Sequence, residues 1–332
     1  MPYHPAFPQP FRTNIALTAF LLLAAFLTLS CRGQHKKVVA VIPKATAHLF
    51  WLSVQAGAMA AGEQFGVEVL WNGPPMETDY ARQIQILDSM IARRVDGIAI
   101  AATERKALVQ PVDRAVAAGI PVTVFDSGLD SANYMTFIAT DNVEAGRMGA
   151  RALAAMLDGK GKVAMVLHAP GSLSTMDREQ GFEEVIAGEY PAIRIVARPY
   201  SMSDRAKAVA AAENIFTAHP DLDGIFASTE PSASGISLAL KSRGLAGKVK
   251  FVGFDSSDTM IEDLKAGVLH ATVIQDPFRI GYEAVKSLVD KIQGRQPPKR
   301  LDLQARVIRP SDLGRPEVRE LLAPNLKKYL RP

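Results

Sequence analysis

The sequence holds a single cysteine, Cys31, in 332 residues, so no intrachain disulfide can form and no cysteine pair can ligate a metal. It also lacks H-E-x-x-H, and its six histidines do not pair at ligand spacing. No G-x-x-x-x-G-K-[ST] loop is present, which argues against a P-loop nucleotidase, and no G-x-S-x-G elbow marks a serine hydrolase. Gly159-Lys160-Gly161-Lys162-Val163-Ala164 has the spacing of a dinucleotide fingerprint. It precedes an apolar run, however, where the fingerprint must follow one, so a turn is expected there. Asp221-Leu222-Asp223-Gly224 begins like a calcium loop but lacks the later ligands and the closing Glu. No cofactor and no metal is therefore expected. Charge of one sign is also scarce: the formal net charge is +4, and the basic residues are dispersed, so nucleic acid is not an expected partner.

What is present begins at the N-terminus. Ile15 to Ser30 carries no charge and follows Arg12; its 16 residues are fewer than the roughly 20 that a bilayer-spanning helix needs. A basic residue before a short apolar run reads as a secretory signal, expected over 1–30. Cys31 comes directly after Leu29-Ser30, where it resembles the end of a bacterial lipobox, with Thr28 standing where Leu is usual. On that resemblance Cys31 becomes the lipidated first residue of the mature chain. Residues 31–37 then tether it to the membrane, an extracytoplasmic location.

After the tether, short apolar runs alternate with amphipathic stretches. Strands are expected at Val38–Ile42, Val67–Trp71, Gly97–Ala101 and Val122–Phe125, with helices at Phe50–Phe65, Thr78–Arg93 and Ala107–Ala118 between them. A helix at Asn142–Leu157 opens a second series with strands Val163–Leu167, Ile193–Ala197, Gly224–Ala227 and Lys250–Phe254. Strand Ala271–Ile274, helix Pro277–Gln293 and strand Asp302–Ile308 close it. Length and alternation together predict an α/β protein of two doubly wound parallel-sheet lobes joined by hinge crossovers. The late elements are surplus to the second lobe. The expected partition is 38–140 with 276–303, and 141–275 with 304–332.

Two stretches repeat one another: Val95-Asp96-Gly97-Ile98 leads to a strand ending at Asp126, and Leu222-Asp223-Gly224-Ile225 to one ending at Asp255. Ligands of doubly wound sheets collect beyond the carboxyl ends of the strands. A strand-terminal Asp in each lobe therefore suggests two jaws presenting carboxylates to one ligand, although either Asp alone could be a cap or turn former.

These residues belong to a longer resemblance. Phe50-Trp51-Leu52-Ser53-Val54-Gln55-Ala56-Gly57-Ala58, Gly119-Ile120-Pro121-Val122, Ile138-Ala139-Thr140-Asp141-Asn142, Arg178-Glu179-Gln180-Gly181-Phe182, Val252-Gly253-Phe254-Asp255 and Ala271-Thr272-Val273-Ile274-Gln275 follow in order. From about Val38 to about Ile308 the chain resembles the ribose/galactose class of periplasmic sugar-binding proteins, the capture components of ABC importers. The resemblance implies a type 1 periplasmic binding fold, a monomer, a small sugar or polyol as ligand and an ABC permease as partner. It places ligand contacts at His48, Phe50, Trp51, Asp126, Thr140, Arg178, Thr229, Asp255 and Gln275, with Asp141 left as a helix cap. Apolar sugar faces pack on aromatic rings while hydroxyls need directed polar partners, and the planar fork of an arginine suits adjacent oxygens. One of Phe50 and Trp51 is expected to begin the core face of its helix, and Trp51 is assigned to the site. Thr229 stands where ribose binders carry an asparagine, and His48 replaces an amide, so the sugar's identity is not readable.

A ligand-responsive regulator would need a helix-turn-helix where the export signal lies. A glycoside hydrolase could use Asp126 and Asp255 as an acid/base pair, but Arg178 is expected to hold both ionised, which suits binding better than turnover. A sensor feeding a chemoreceptor or kinase, or a binder of a non-sugar solute, stays open as an alternative.

Overall fold

The computed structural model describes residues 1–6 and 36–330. The apolar run Ile15–Ser30 and Cys31 lie outside the described residues; Met1–Ala6 are exposed and without regular structure. Among the described residues no helix is long and apolar enough to cross a membrane.

The compact unit starts at Lys37. Its chain runs β1 (Val38–Ile42), α1 (Leu49–Phe65), β2 (Glu68–Trp71), α2 (Tyr80–Ala92), β3 (Gly97–Ile100), α3 (Val109–Ala117), β4 (Val122–Phe125) and β5 (Thr136–Thr140). It continues with α4 (Asn142–Met156), β6 (Lys160–Val166), α5 (Leu173–Glu189), β7 (Ala192–Ala197), α6 (Arg205–Ala218), β8 (Gly224–Ala227) and α7 (Glu230–Ser242). Then come β9 (Lys250–Phe254), α8 (Asp258–Lys265), β10 (Ala271–Ile274), α9 (Pro277–Ile292), β11 (Arg300–Leu303), β12 (Arg306–Ile308) and α10 (Pro316–Leu322).

Two six-stranded sheets result, ordered β11-β5-β4-β3-β1-β2 and β12-β10-β9-β8-β6-β7. The first is wholly parallel, and the expected α/β architecture of two parallel-dominated lobes holds. In the second, β12 alone runs antiparallel, against β10. Strands β3, β4, β8 and β10 are buried along their whole length, because helices cover both faces of each sheet. The chain passes between the lobes three times: at Asp141, at Gln275–Asp276 and at Gln304–Ala305.

Three local expectations are corrected. β5 was not anticipated, because Thr136 and Thr140 at its ends leave only three apolar residues between them. Asp302–Ile308, expected as one strand, is two: Arg300–Leu303 pairs with β5 and Arg306–Ile308 with β10. An extended pattern tells that the backbone is stretched, not which neighbour it will pair with. The turn expected over Gly159–Ala164 is confined to its start, since β6 begins at Lys160.

The repeat has a structural meaning of its own. Asp96 Oδ2 accepts a hydrogen bond from the Val38 amide at 2.8 Å, and Asp223 Oδ2 accepts one from the Lys162 amide at 2.7 Å. Each Asp thereby ties the third-position strand of its lobe to the first. The glycine after it lets a helix settle on the sheet: a Cβ at Gly97 would lie 3.1 Å from Leu288 of α9, and one at Gly224 3.0 Å from Leu153 of α4.

Each lobe also holds one helix pair at backbone contact. A Cβ at Gly57 of α1 would sit 1.9 Å from the Phe278 carbonyl oxygen of α9, and one at Gly281 2.0 Å from that of Val54. In the second lobe a Cβ at Gly146 of α4 would sit 1.9 Å from the Arg178 carbonyl oxygen, and one at Gly181 of α5 2.0 Å from that of Val143. Gly281→Ala or Gly181→Ala must force the helices apart, and each is expected to destabilise by about 1–3 kcal/mol or more. Gly188→Ala, on α5 with nothing within 4 Å, should be neutral or stabilising by up to about 1 kcal/mol. Urea unfolding of the three variants checks this; wild-type stability in Gly281→Ala would contradict the backbone contact.

Candidate functional site

Both sheets point the carboxyl ends of their parallel strands at the junction of the lobes, and the site is built from the residues just past those ends. Asp126 follows β4 and Asp255 follows β9. Both backbones turn left-handed there, at φ 56° and φ 64°. Both amides donate 2.8 Å hydrogen bonds to the next strand, to Ile138 and Val273 respectively. A left-handed non-glycine residue costs on the order of 1–2 kcal/mol, less for Asp, and such strain gathers at functional sites.

From the first lobe, Lys44 follows β1 on a loop held by the buried Gln83, whose amide group donates to the Pro43 carbonyl at 2.9 Å and the Ala101 carbonyl at 2.7 Å. Lys44 Nζ stands 3.5 Å from both Glu77 Oε2 and Asp126 Oδ2. It also donates across the junction to Ser172 Oγ at 3.2 Å and Ser174 Oγ at 3.3 Å. Trp51 Nε1 donates to Glu77 Oε1 at 2.9 Å. The Trp51 ring is only 1% exposed and packs edge-on against Phe125 and Phe50, so Trp51 belongs to the core and the site at once. Phe50 is half-buried beside it.

The second lobe brings Arg178 from α5. Its Nε donates to Asn142 at 2.8 Å, its Nη1 to the Ser228 carbonyl at 3.1 Å, and its guanidinium carbon lies 3.9 Å from the centre of the Phe254 ring. Thr229 occupies the N-cap position of α7 without a side-chain bond to its amides, and its hydroxyl lies 3.0 Å from that of Ser232. His48 Nδ1 of the first lobe stands 3.7 Å from Glu230 Oε2 of the second. Gln275, in a crossover, donates to Asp255 Oδ1 at 2.8 Å and accepts from Thr140 Oγ1 at 2.7 Å.

The structure thus brings His48, Phe50, Trp51, Asp126, Arg178, Thr229, Asp255 and Gln275 around one cavity of about 30 Å³. Thr140 does not line it; it is buried one hydrogen bond behind, on Gln275. Asp141 caps α4 through a 3.0 Å bond from the Glu144 amide. Sequence reasoning missed Lys44, Glu77 and Glu230, which line the same cavity. Each follows the carboxyl end of a strand, the same signal that singled out Asp126 and Asp255.

Burial dominates the electrostatics. It raises Asp126 above the usual carboxylate range against the pull of Lys44 and Arg178, and pushes Asp255 up to about 6. Arg178 does lower both carboxyls, as expected, but the net shift of each is upward. Its charge is shared with Asn142, Ser228 and Phe254, and desolvation outweighs it. Glu77 goes the other way: burial would raise it, but Lys44, His168 and the Trp51 bond together hold it down at about 2. His168, fully buried with neither ring nitrogen hydrogen-bonded, is pushed down to about 4 by burial. Asp126 Oδ2 is likewise buried and makes no hydrogen bond, with the Lys44 ammonium 3.5 Å away as an ion-pair partner. A buried acceptor left open between two lobes is where a ligand's hydroxyl can donate.

Two α/β lobes crossed three times by the chain, with a desolvated polar cleft between strand ends, form a solute-binding architecture. Residues 39–296 match the model of the periplasmic binding protein domain, and the chain belongs to that family. It is 30% identical over 272 residues to the D-allose-binding periplasmic protein of Escherichia coli, covering 80% of this chain and 87% of that one. Among solved structures it is similar to a carbohydrate transporter solute-binding protein from Agrobacterium radiobacter in complex with D-arabinose. That likeness has 33% identity and TM-score 0.85, covering 87% of this chain and 100% of the other. It is also similar to an ABC transporter solute-binding protein from Agrobacterium vitis with bound D-fucose, at 34% identity and TM-score 0.83, covering 86% and 99%.

Behind the cleft Glu179 Oε1 accepts from the His168 amide at 2.9 Å and Ser228 Oγ at 2.8 Å, and burial pushes its carboxyl up to about 7. A carboxyl raised on folding binds more protons folded than unfolded, so its stabilising share is fully present below its ordinary 4.5 and is lost as pH rises through about 7. Glu179→Gln, which keeps an acceptor without the charge, should match wild type near pH 4 and exceed it increasingly towards pH 8, by on the order of 3 kcal/mol. Denaturant titrations at both pH values check it; a pH-independent difference would place the raised carboxyl elsewhere.

Proposed function

We propose that the chain captures a small neutral sugar, a pentose, hexose or related polyol, in this cleft and delivers it outside the cytoplasm to an ABC permease. The observation that carries the reading is the meeting of an open buried acceptor, Asp126 Oδ2, with Asp255 and Arg178 of the other lobe beside the Phe50 and Trp51 rings. Hydroxyls donate to the two carboxyl groups and accept from the N–H groups of Arg178 that its protein partners leave free, while a ring face packs on the aromatics. The family match and the sugars bound by the similar proteins support the same ligand class. At about 30 Å³ the cavity has room for two or three waters, each needing on the order of 10–15 Å³, so a sugar enters only as the lobes part. Their closure over it is the signal a permease can read. The chain acts as a monomer on this reading.

A thermal-shift screen with D-allose, D-arabinose, D-fucose and D-ribose identifies the ligand, and titration calorimetry with that sugar tests the site. Asp126→Ala and Asp255→Ala should each weaken binding about 10- to 150-fold, since hydrogen bonds to charged groups contribute roughly 1.5–3 kcal/mol. Arg178→Lys should also weaken it. Trp51→Phe should lose less affinity than Trp51→Ala, which in addition costs about 3–5 kcal/mol of stability for its core ring. Wild-type affinity in both Asp variants would return these residues to turn formers.

The same reading makes Cys31 a lipid anchor. Mass spectrometry of the membrane fraction is expected to find a lipidated N-terminal Cys31, and Cys31→Ser to release the protein. A membrane-bound chain that still carries Leu21–Leu23 would overturn it.

A further inference from the structure

After β12 returns the chain to the second lobe, residues 316–330 cross the outside of the hinge. Their first half is anchored on the second lobe: Val318 and Leu322 of α10 are buried against Ile274 and Ile308, with Ile261 alongside. Ser256 Oγ adds a 3.4 Å hydrogen bond to the Leu322 carbonyl. Their second half rests on the first lobe. The turn Leu326–Lys328 packs on α1, and the half-buried Tyr329 ring lies 5.4 Å, centre to centre, from Phe278 at the start of α9. Between the anchors, Leu321 and Pro324 close a gap of about 20 Å³ against Phe50, Ser53 and Asp255, next to the cleft.

We propose that residues 316–330 form a strap that ties the second lobe to the first across the hinge and weights the two lobes towards their closed arrangement. The three crossovers are single extended strands of backbone, which permit rotation but do little to favour one angle. The strap touches both bodies with apolar side chains, so opening must strip Leu326 and Tyr329 from α1 and Phe278 or pull α10 off its lobe. Beneath it lies a cavity of about 600 Å³ bounded by Gln275–Arg279 and Asp302–Gln304. The crossovers are thus left unpacked on that side, and the strap's two ends add a restraint there to the cross-lobe bonds of the cleft, such as those from Lys44 to Ser172 and Ser174. A closed arrangement held in this way raises apparent affinity for any solute in proportion to its population. The strap is independent of which solute binds.

The test uses ligand-free protein, so a wrong ligand class cannot mask it. Two hydrogen bonds report closure directly: the Arg105 amide of the first lobe donates to the Gly171 carbonyl of the second at 2.8 Å, and the Ser174 amide to Ser127 Oγ at 3.3 Å. Ending the chain after Pro324 keeps α10 and removes the first-lobe anchor. Hydrogen exchange at Arg105 and Ser174 should then quicken about 5- to 30-fold while strand amides of both sheets keep their rates. Small-angle scattering should show a larger radius of gyration. If the shortened chain folds poorly, the double variant Leu326→Ala/Tyr329→Ala decides by the same readouts. Unchanged exchange at both amides in a folded protein would overturn the strap. So would a uniform rise at all amides, which would make the segment a general stabiliser.

Discussion

The left-handed turn at Asp126, matched by the one at Asp255, is the constraint on which the rest of the molecule hangs. A parallel strand that ended on an ordinary extended residue would carry its next side chain along the sheet. Turning left instead, each strand keeps its amide bonded to its neighbour and sets a carboxyl group in the junction of the lobes. The two turns occupy corresponding strands, so the carboxyls come from both lobes. What surrounds them follows from their cost. A carboxyl this dry requires a cation within reach, which Lys44 and Arg178 supply, and those cations need partners of their own in Ser172, Ser174, Asn142 and the Phe254 ring.

The hinge is wired into the same network. Gln275 spends its amide nitrogen on Asp255 and its amide oxygen on Thr140, so one side chain connects two crossovers and the second lobe's carboxyl. Thr140 thus reaches the cavity's lining through Gln275. Gln83 has the matching task in the first lobe, holding the loop that positions Lys44.

Fold class and the two Asp positions were legible because they recur: alternation repeats along the chain, and the V-D-G-I and L-D-G-I stretches repeat with it. Lys44, Glu77 and Glu230 were not, because they follow strands through connections of different length and composition, Glu230 already in the first turn of α7, and only the strand-end rule could have marked them. β5 hid behind its threonines, and the division of Asp302–Ile308 between two sheets depends on partners far away in sequence. The net upward shift of the aspartates was not legible for a related reason. Sequence shows which charges exist but not how much water they lose, and here dehydration outweighs the nearest cation.

Gly146 touches nothing in the cleft, yet its missing side chain is what lets α4 lie against the carbonyl of Arg178. The guanidinium's reach is therefore fixed from behind, by a contact between two helices. A lineage adapting such a protein to a new solute has two independent dials: the residues that meet the ligand, and the spacing of a helix pair that sets how far one arm extends. The second can be turned by a single methyl group that no inventory of cleft residues would include.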